Sequence, residues 1–454
     1  MSREPANAPD RLGPRALGFW TCLALVIGNM IGSGIFLLPA SLAPYGWNAV
    51  LGWTLTIAGS LCLAFVLARL ARSFPKEGGP YAYSRLAFGE GAAFALSWSY
   101  WISIWVTNGT LAIAAVSYLS IFVPGLAEVT ALPAIAAITL LWIFTLLSMV
   151  SIRAAGGFQL VTTVLKLVPL VAAILIAAAI LGREGSGAAA PFRPEEISLP
   201  AITACASLTL WAMLGFESAT VPAARVTAPE RTIPRATLYG TLIAGAFYLL
   251  ASSSVSLLLP AAEAAQSNAP FADFTGRYLG EGAGMLVALF AAISCIGALN
   301  GWIFLQGEMP LAMARDGVFP AWFGRLSKMG TPVGTQMLSS TLATILVISN
   351  YTKSIGQLFT FMALLATVAT RVMYVMCALA ALRLMGKGAM PRTGALTLSA
   401  VLGGIYGLWT FYGAGVEATG WGLLLLASGL PVYLLMRRAR SSRAAADGRD
   451  APQE

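Results

Sequence analysis

Apolar runs long enough to cross a lipid bilayer recur along nearly the whole of this chain, and that recurrence narrows its architecture more than any motif does. A backbone in hydrocarbon must satisfy its own hydrogen bonds, which a helix does. About 20 apolar residues take a helix across. Twelve runs qualify, near residues 17–43, 46–71, 88–122, 132–151, 157–181, 199–223, 235–259, 284–313, 334–350, 356–385, 394–413 and 419–436. Several exceed 25 residues and must tilt, bend or project. Composition agrees: 58% of residues are hydrophobic and 10% charged, against about 25% charged in a soluble domain, and the mean hydropathy is +0.77. The chain therefore reads as an all-α multi-pass membrane protein. A polar segment over 1–16 precedes a twelve-helix domain over 17–436, and a small, polar tail over 437–454 is expected to be disordered. The first apolar run lacks a cleavage site followed by a soluble domain, so no signal peptide is expected.

Basic residues set the predicted orientation. With the N-terminus inside, the cytoplasmic side receives Arg3, Arg11 and Arg15, then Arg69, Arg72, Lys76 and Arg85, then Arg153, Arg225, Arg231 and Arg235. Arg315, Arg325, Lys328, Arg383, Lys387, Arg392 and the five arginines from Arg437 onward fall there too. Only Arg183, Arg193, Arg277 and Lys353 fall outside. Both termini are thus expected in the cytoplasm, and the net charge of +9 reflects topology with weak attraction to anionic lipid rather than nucleic-acid binding. The five cysteines sit inside apolar runs with no metal or redox spacing. Histidine is absent, which removes imidazole catalysis and imidazole metal sites. No cofactor is expected.

The first run contains IGNMIGSGIFLLP, residues 27–39, with Gly28, Gly32 and Gly34 where helix should be most secure. Each glycine weakens a helix by about 1 kcal/mol relative to alanine. Gly28-x-x-x-Gly32 can be a packing face. Alternatively Gly32-Ser33-Gly34 is a break whose freed N–H groups hold an anion at a half-helix N-terminus. An inverted repeat of five plus five helices predicts a matching break in the sixth run, and LTLWAMLGFESATVPAAR supplies Gly215, Glu217, Ser218 and Pro222. A carboxylate at that depth marks a functional site by default; the other reading is a structural Glu paired with a neighbouring donor. Unwinding there offers carbonyls near Trp211 and Leu214 to an ammonium group. Together the two breaks would recognise an α-amino acid through its backbone. Candidate side-chain walls are Tyr100, Trp101, Trp105 and Asn108 in the third run and Asn300, Trp302 and Glu308 in the eighth. An aromatic face holds a cation with about 0.5–2 kcal/mol. Interfacial belts explain Trp47 and Trp421 but suit Trp105 and Trp302 poorly. Lys166 is either a snorkelling lysine or an ammonium standing where a sodium ion could bind. Arg371 should be paired or water-exposed within the bundle.

GNMIGSGIFLLPA, FPKEGGPYAYSRLAFG, WAMLGFESA and GWIFLQGEMPLAMARDGVFP together resemble the amino acid–polyamine–organocation (APC) transporter superfamily, most closely its bacterial arginine/agmatine antiporter branch. The resemblance covers almost the whole chain. It implies a LeuT-like fold with discontinuous first and sixth helices, repeats at about 17–181 and 199–385, two extra helices over about 394–436, and a homodimer in the inner membrane. It implies that the backbone at Gly32, Ser33 and Gly34 takes the substrate carboxylate beside Asn29, and that carbonyls of Trp211 and Leu214 take the α-amino group. Trp302 would stack on the substrate side chain, with Ser103, Trp105, Asn108 and Leu111 on the third helix around it. Tyr100 and Glu217 would form an intracellular, proton-linked gate, Trp211 an outer gate, and Lys166 the sodium substitute. That branch carries an apolar residue where this chain has Lys166, and its third helix differs at Ser103, Ile104 and Leu111. Arg371 is expected near the side-chain pocket, where it would repel arginine.

The leading expectation is a secondary transporter of an amino acid, exchanging arginine for agmatine or a related amine by alternating access. A proton-coupled or exchange permease for neutral amino acids is the alternative. An intramembrane enzyme would want histidine or paired acids on facing helices, whereas only Glu217 and Glu308 are clearly intramembrane carboxylates. A channel or sensor would want repeated filter motifs or charge rings, and none is visible.

Overall fold

The computed structural model describes residues 17–447 apart from Glu77, Thr130, Ser151, Pro222, Ala224, Arg225 and Lys328. The expectations for segment 1–16, with Arg3, Arg11 and Arg15, and those for Pro222, Arg225, Lys328 and residues 448–454 lie outside the described residues. Eighteen helices follow in order: α1 (Phe19–Met30), α2 (Ser33–Leu42), α3 (Trp47–Ser73), α4 (Pro80–Phe88), α5 (Glu90–Leu119), α6 (Gly125–Glu128), α7 (Leu132–Val150), α8 (Ile152–Glu184) and α9 (Leu199–Met213). The second half adds α10 (Pro229–Leu258), α11 (Ala261–Gln266), α12 (Pro270–Leu279), α13 (Glu281–Arg315), α14 (Val333–Ile348), α15 (Ile355–Gly386), α16 (Gly394–Tyr412), α17 (Val416–Ala427) and α18 (Gly429–Asp447). Among the described residues, eleven stretches are long and apolar enough to cross a bilayer, and α14 is a shorter apolar twelfth. The twelve predicted runs and the all-α class both hold.

The bundle is organised around α5. Some 94% of its most apolar window is buried, against 22% for α7, so α5 runs through the middle and α7 faces lipid. It packs on α13 and α15, while α1 lies against α8, α10 and α13. Small and hydroxyl residues let neighbours approach a central helix closely, and Ser97, Ser99, Ser103, Thr107 and Thr110 on α5 are all buried. The connection near 260–283 forms α11 and α12, and α12 seats Phe271 and Phe274 in the core. All five cysteines are free thiols.

Helix α18 continues through Asp447, so the described part of the segment beyond 436 is helical. Arginine and alanine dominate it, both strong helix formers, and extending a helix that already exists needs no new nucleus.

Candidate substrate site at the paired helix breaks

Two interruptions face each other at the centre of the molecule. Helix α1 stops at Met30, and α2 restarts at Ser33 after Gly32, whose backbone (φ −122°, ψ −131°) is not helical. The first-turn N–H groups of α2 therefore have no intrahelical acceptor and carry the positive end of its dipole. Helix α9 stops at Met213, and the chain then turns through Leu214 and Gly215 into a 3₁₀ turn at Ser218–Thr220. Gly215 has φ +113°, where only glycine is comfortable, and a Cβ there would lie 3.0 Å from the Asn29 carbonyl carbon and Met30 nitrogen. A Cβ on Gly34 would meet Ala212 Cα at 2.7 Å. The glycines thus open each break and also let one break close on the other. Asn29 stitches them, donating from Nδ2 to Ser218 Oγ at 2.9 Å.

A small cavity of about 10 Å³ lies between the breaks, lined by Asn29, Gly32, Ser33, Gly34, Leu111, Trp211, Leu214 and Trp302, all predicted, and by Met30, Thr107 and Ala212. That is room for about one water molecule, so this conformation is closed around the site. Trp302 is buried and donates from Nε1 to Asn29 O at 3.2 Å. Trp211 meets Phe359 edge to face, with centroids 6.5 Å apart. The carbonyl of Trp211 already accepts the N–H of Leu214 at 3.1 Å. Of the two carbonyls expected to receive an ammonium group, that of Leu214 lies beyond the last helical bond, and that of Trp211 keeps a second lone pair. Ser33 Oγ, Asn29 Oδ1, Thr107 Oγ1 and Trp211 Nε1 are buried without protein partners.

Ser103, Trp105 and Asn108 are buried on α5 but do not line this cavity. Asn108 instead donates to Gln306 Oε1 at 2.7 Å, and Gln306 donates to Ser340 Oγ at 2.9 Å. Thr107, which sequence reasoning missed, shares one helical face with Ser103 and Leu111 at four-residue spacing; that spacing was the available signal. Tyr374 was missed as well. Glu217 Oε1 accepts from Tyr100 Oη at 2.9 Å and its Oε2 from Tyr374 Oη at 2.9 Å, while Gly215 N–H donates to Oε2 at 3.2 Å. The expected gate residues Tyr100 and Glu217 thus form one arm of a clasp that joins α5, α15 and the turn after α9, and the ring of Tyr374 also stacks on Phe216 at 4.8 Å.

Lys166 is fully buried, and its Nζ donates to Gly28 O at 2.5 Å, so it does not snorkel. Arg371 corrects an expectation. Its Nη2 donates to Ser207 O at 3.3 Å and its Cζ lies 5.5 Å from the Phe411 ring centroid. The side chain turns toward α9 and α16 and lines no part of the cavity. On the face of the bundle where α2 ends, a vestibule of about 1090 Å³ opens, lined by α2, α15 and the start of α17. On the opposite face Gly78 N–H donates to Val221 O at 3.2 Å, and Arg85 pairs with Asp316 at 3.2 Å, joining the PYAYSR and ARDG stretches just outside the bundle.

A model of the amino acid permease family matches residues 17–434. A cadaverine/lysine antiporter of Escherichia coli is 37% identical over 342 residues, 74% of each chain. The putrescine transporter PotE of Haemophilus influenzae is 30% identical over 412 residues, 90% of this chain and 94% of the relative. Twelve apolar helices, two facing helix breaks and these matches agree: the chain belongs to the amino acid permease family of the APC superfamily and is a secondary transporter, not an enzyme.

Proposed function

We propose that this transporter exchanges a basic amino acid, arginine or lysine, for the amine left by its decarboxylation (agmatine in the case of arginine), by alternating access across the bacterial inner membrane. The observation that carries this reading is the closure of both helix breaks on one cavity. In it the α2 N-terminus supplies N–H donors to a carboxylate and Leu214 O supplies an acceptor to the α-amino group. Trp302 offers a ring face to a cationic side chain, and because Arg371 faces α9 and α16, no fixed cation of the cavity lining opposes it. Trp105 and Asn108 would come to the side-chain end once the cavity widens. Relatives named for lysine, cadaverine and putrescine fit the same substrate chemistry.

Exchange fits Lys166, whose ammonium already holds the Gly28 carbonyl that a coupling sodium ion would need. The clasp of Glu217 by Tyr100 and Tyr374 is the inner, proton-linked gate, and Trp211 with Phe359 the outer one. The basic side with both termini is cytoplasmic, so the vestibule faces outward, in a LeuT-like arrangement of two repeats and two extra helices. A homodimer would draw on the exposed apolar face of α16 and α17, with Leu402, Ile405, Leu423 and Leu424. The test is uptake of labelled arginine and lysine into proteoliposomes loaded with agmatine, cadaverine or nothing. Trans-stimulated, saturable uptake is expected; uptake of neutral amino acids alone would overturn the reading.

A further inference from the structure

The outer vestibule is built mostly from small and uncharged side chains. Among the described residues only Lys353 and Glu417 bring charge to its lining. Lys353 sits in the loop before α15, and its Nζ lies 3.0 Å from Glu417 Oε1 and 5.1 Å from the centroid of Phe361. Phe361 lines the same vestibule, on α15, two residues beyond the Phe359 that meets Trp211. Gln357 and Ser354 line it as well. A carboxylate and an aromatic face converging on one point are the parts of an ammonium seat. Here that seat is filled by an ammonium tethered to the protein itself. The hold is weak: the two side chains are 29% and 59% exposed, and exposed pairs of this kind contribute little. A free alkylammonium or guanidinium group arriving from outside can therefore exchange for Lys353.

Resting on the basic-substrate reading above, we propose that Glu417 and Phe361 form a second cation site, an outer way-station for the charged end of the substrate, and that Lys353 is its built-in competitor. Phe361 stands on the same helix as the Phe359 that meets Trp211, so substrate held at this seat waits on the outer side of the gate. The site sorts incoming molecules by charge before the inner cavity opens, while substrate arriving from the cytoplasm does not meet it on entry.

The test compares wild type, Lys353→Met, Glu417→Gln and the double variant, each checked for folding by thermal denaturation. Initial rates for labelled lysine and arginine are measured in intact cells, for entry from outside, and in everted vesicles, for entry from the cytoplasmic face. Lys353→Met is expected to lower the outside KM by up to about fivefold and Glu417→Gln to raise it by a similar factor. The KM from the cytoplasmic face and the maximal rate should not move. The double variant is expected to match Glu417→Gln, because a competitor matters only while the seat exists. Unchanged outside KM in both single variants, or equal shifts from both faces, would overturn the proposal. A double variant restored to wild-type KM would overturn it too, since that is what net charge alone produces. A wild-type chain that exchanges no cationic substrate would instead remove the reading on which the way-station rests.

Discussion

Trp302 shows how one side chain can carry much of a site. Its indole closes the cavity and is fixed by the bond to Asn29 O. Trp302→Ala should weaken binding of arginine or lysine about two- to thirtyfold, the span of a desolvated cation–π contact, measured by calorimetric titration. Glu217 makes a different kind of prediction. Its carboxylate accepts two phenols and a backbone N–H. Glu217→Gln should flatten the pH profile of exchange, and Tyr374→Phe, which removes one donor but leaves the carboxylate, should keep that profile while lowering stability by about 1–3 kcal/mol, read by thermal denaturation. Trp302 and Glu217 were legible in the sequence because each is out of place at its depth. Tyr374 and Gln306 were not, since each is an ordinary residue within its own helix and gains meaning only from a partner far away in sequence; Thr107 could have been found from its four-residue spacing to Ser103 and Leu111. Arg371 was legible as an anomaly, but the direction of its side chain depends on Ser207 and Phe411, on helices that no local pattern links to it.

At the scale of elements, the two breaks act as one device. Helix α2 approaches α9 where Gly34 meets Ala212, and the turn after α9 approaches the end of α1 where Gly215 meets Asn29 and Met30. Gly215→Ala must hold a side chain at φ +113°, which costs about 1–3 kcal/mol, and must also push a Cβ into α1. Exchange should fall at least tenfold while the protein still reaches the membrane, as tested by transport rates normalised to purified protein. The first break could be read from glycines at 28, 32 and 34. The form of the second could not: after Met213 the described chain continues through Gly215 into a 3₁₀ turn, where Ser218 and Thr220 N–H donate to the carbonyls of Gly215 and Glu217 and the Glu217 side chain accepts the Gly215 N–H. The number of apolar helices was visible throughout, because bilayer thickness imposes it. The persistence of α18 through Asp447 was not anticipated, since its polar composition reads as solvent-exposed whether helical or not.

For the whole molecule, Lys166 ties the centre of α8 to the carbonyl of Gly28. If that ammonium does the work of an ion, replacing external sodium with choline should leave exchange rates unchanged, as measured in proteoliposomes; strict sodium dependence would refute the role. Helix α14 has a consequence of another kind. Its 16 residues span about 24 Å, short of the roughly 30 Å of a typical hydrocarbon core, and Met337, Ile345 and Ile348 on it are exposed at the outer surface of the bundle. Thinning of the bilayer beside this helix is one way to meet the shortfall while the longer α13 and α15 stand at full depth. Acyl-chain length thus becomes a setting of the machine, and phospholipids with shorter tails should let the bundle rock more freely than those with longer ones.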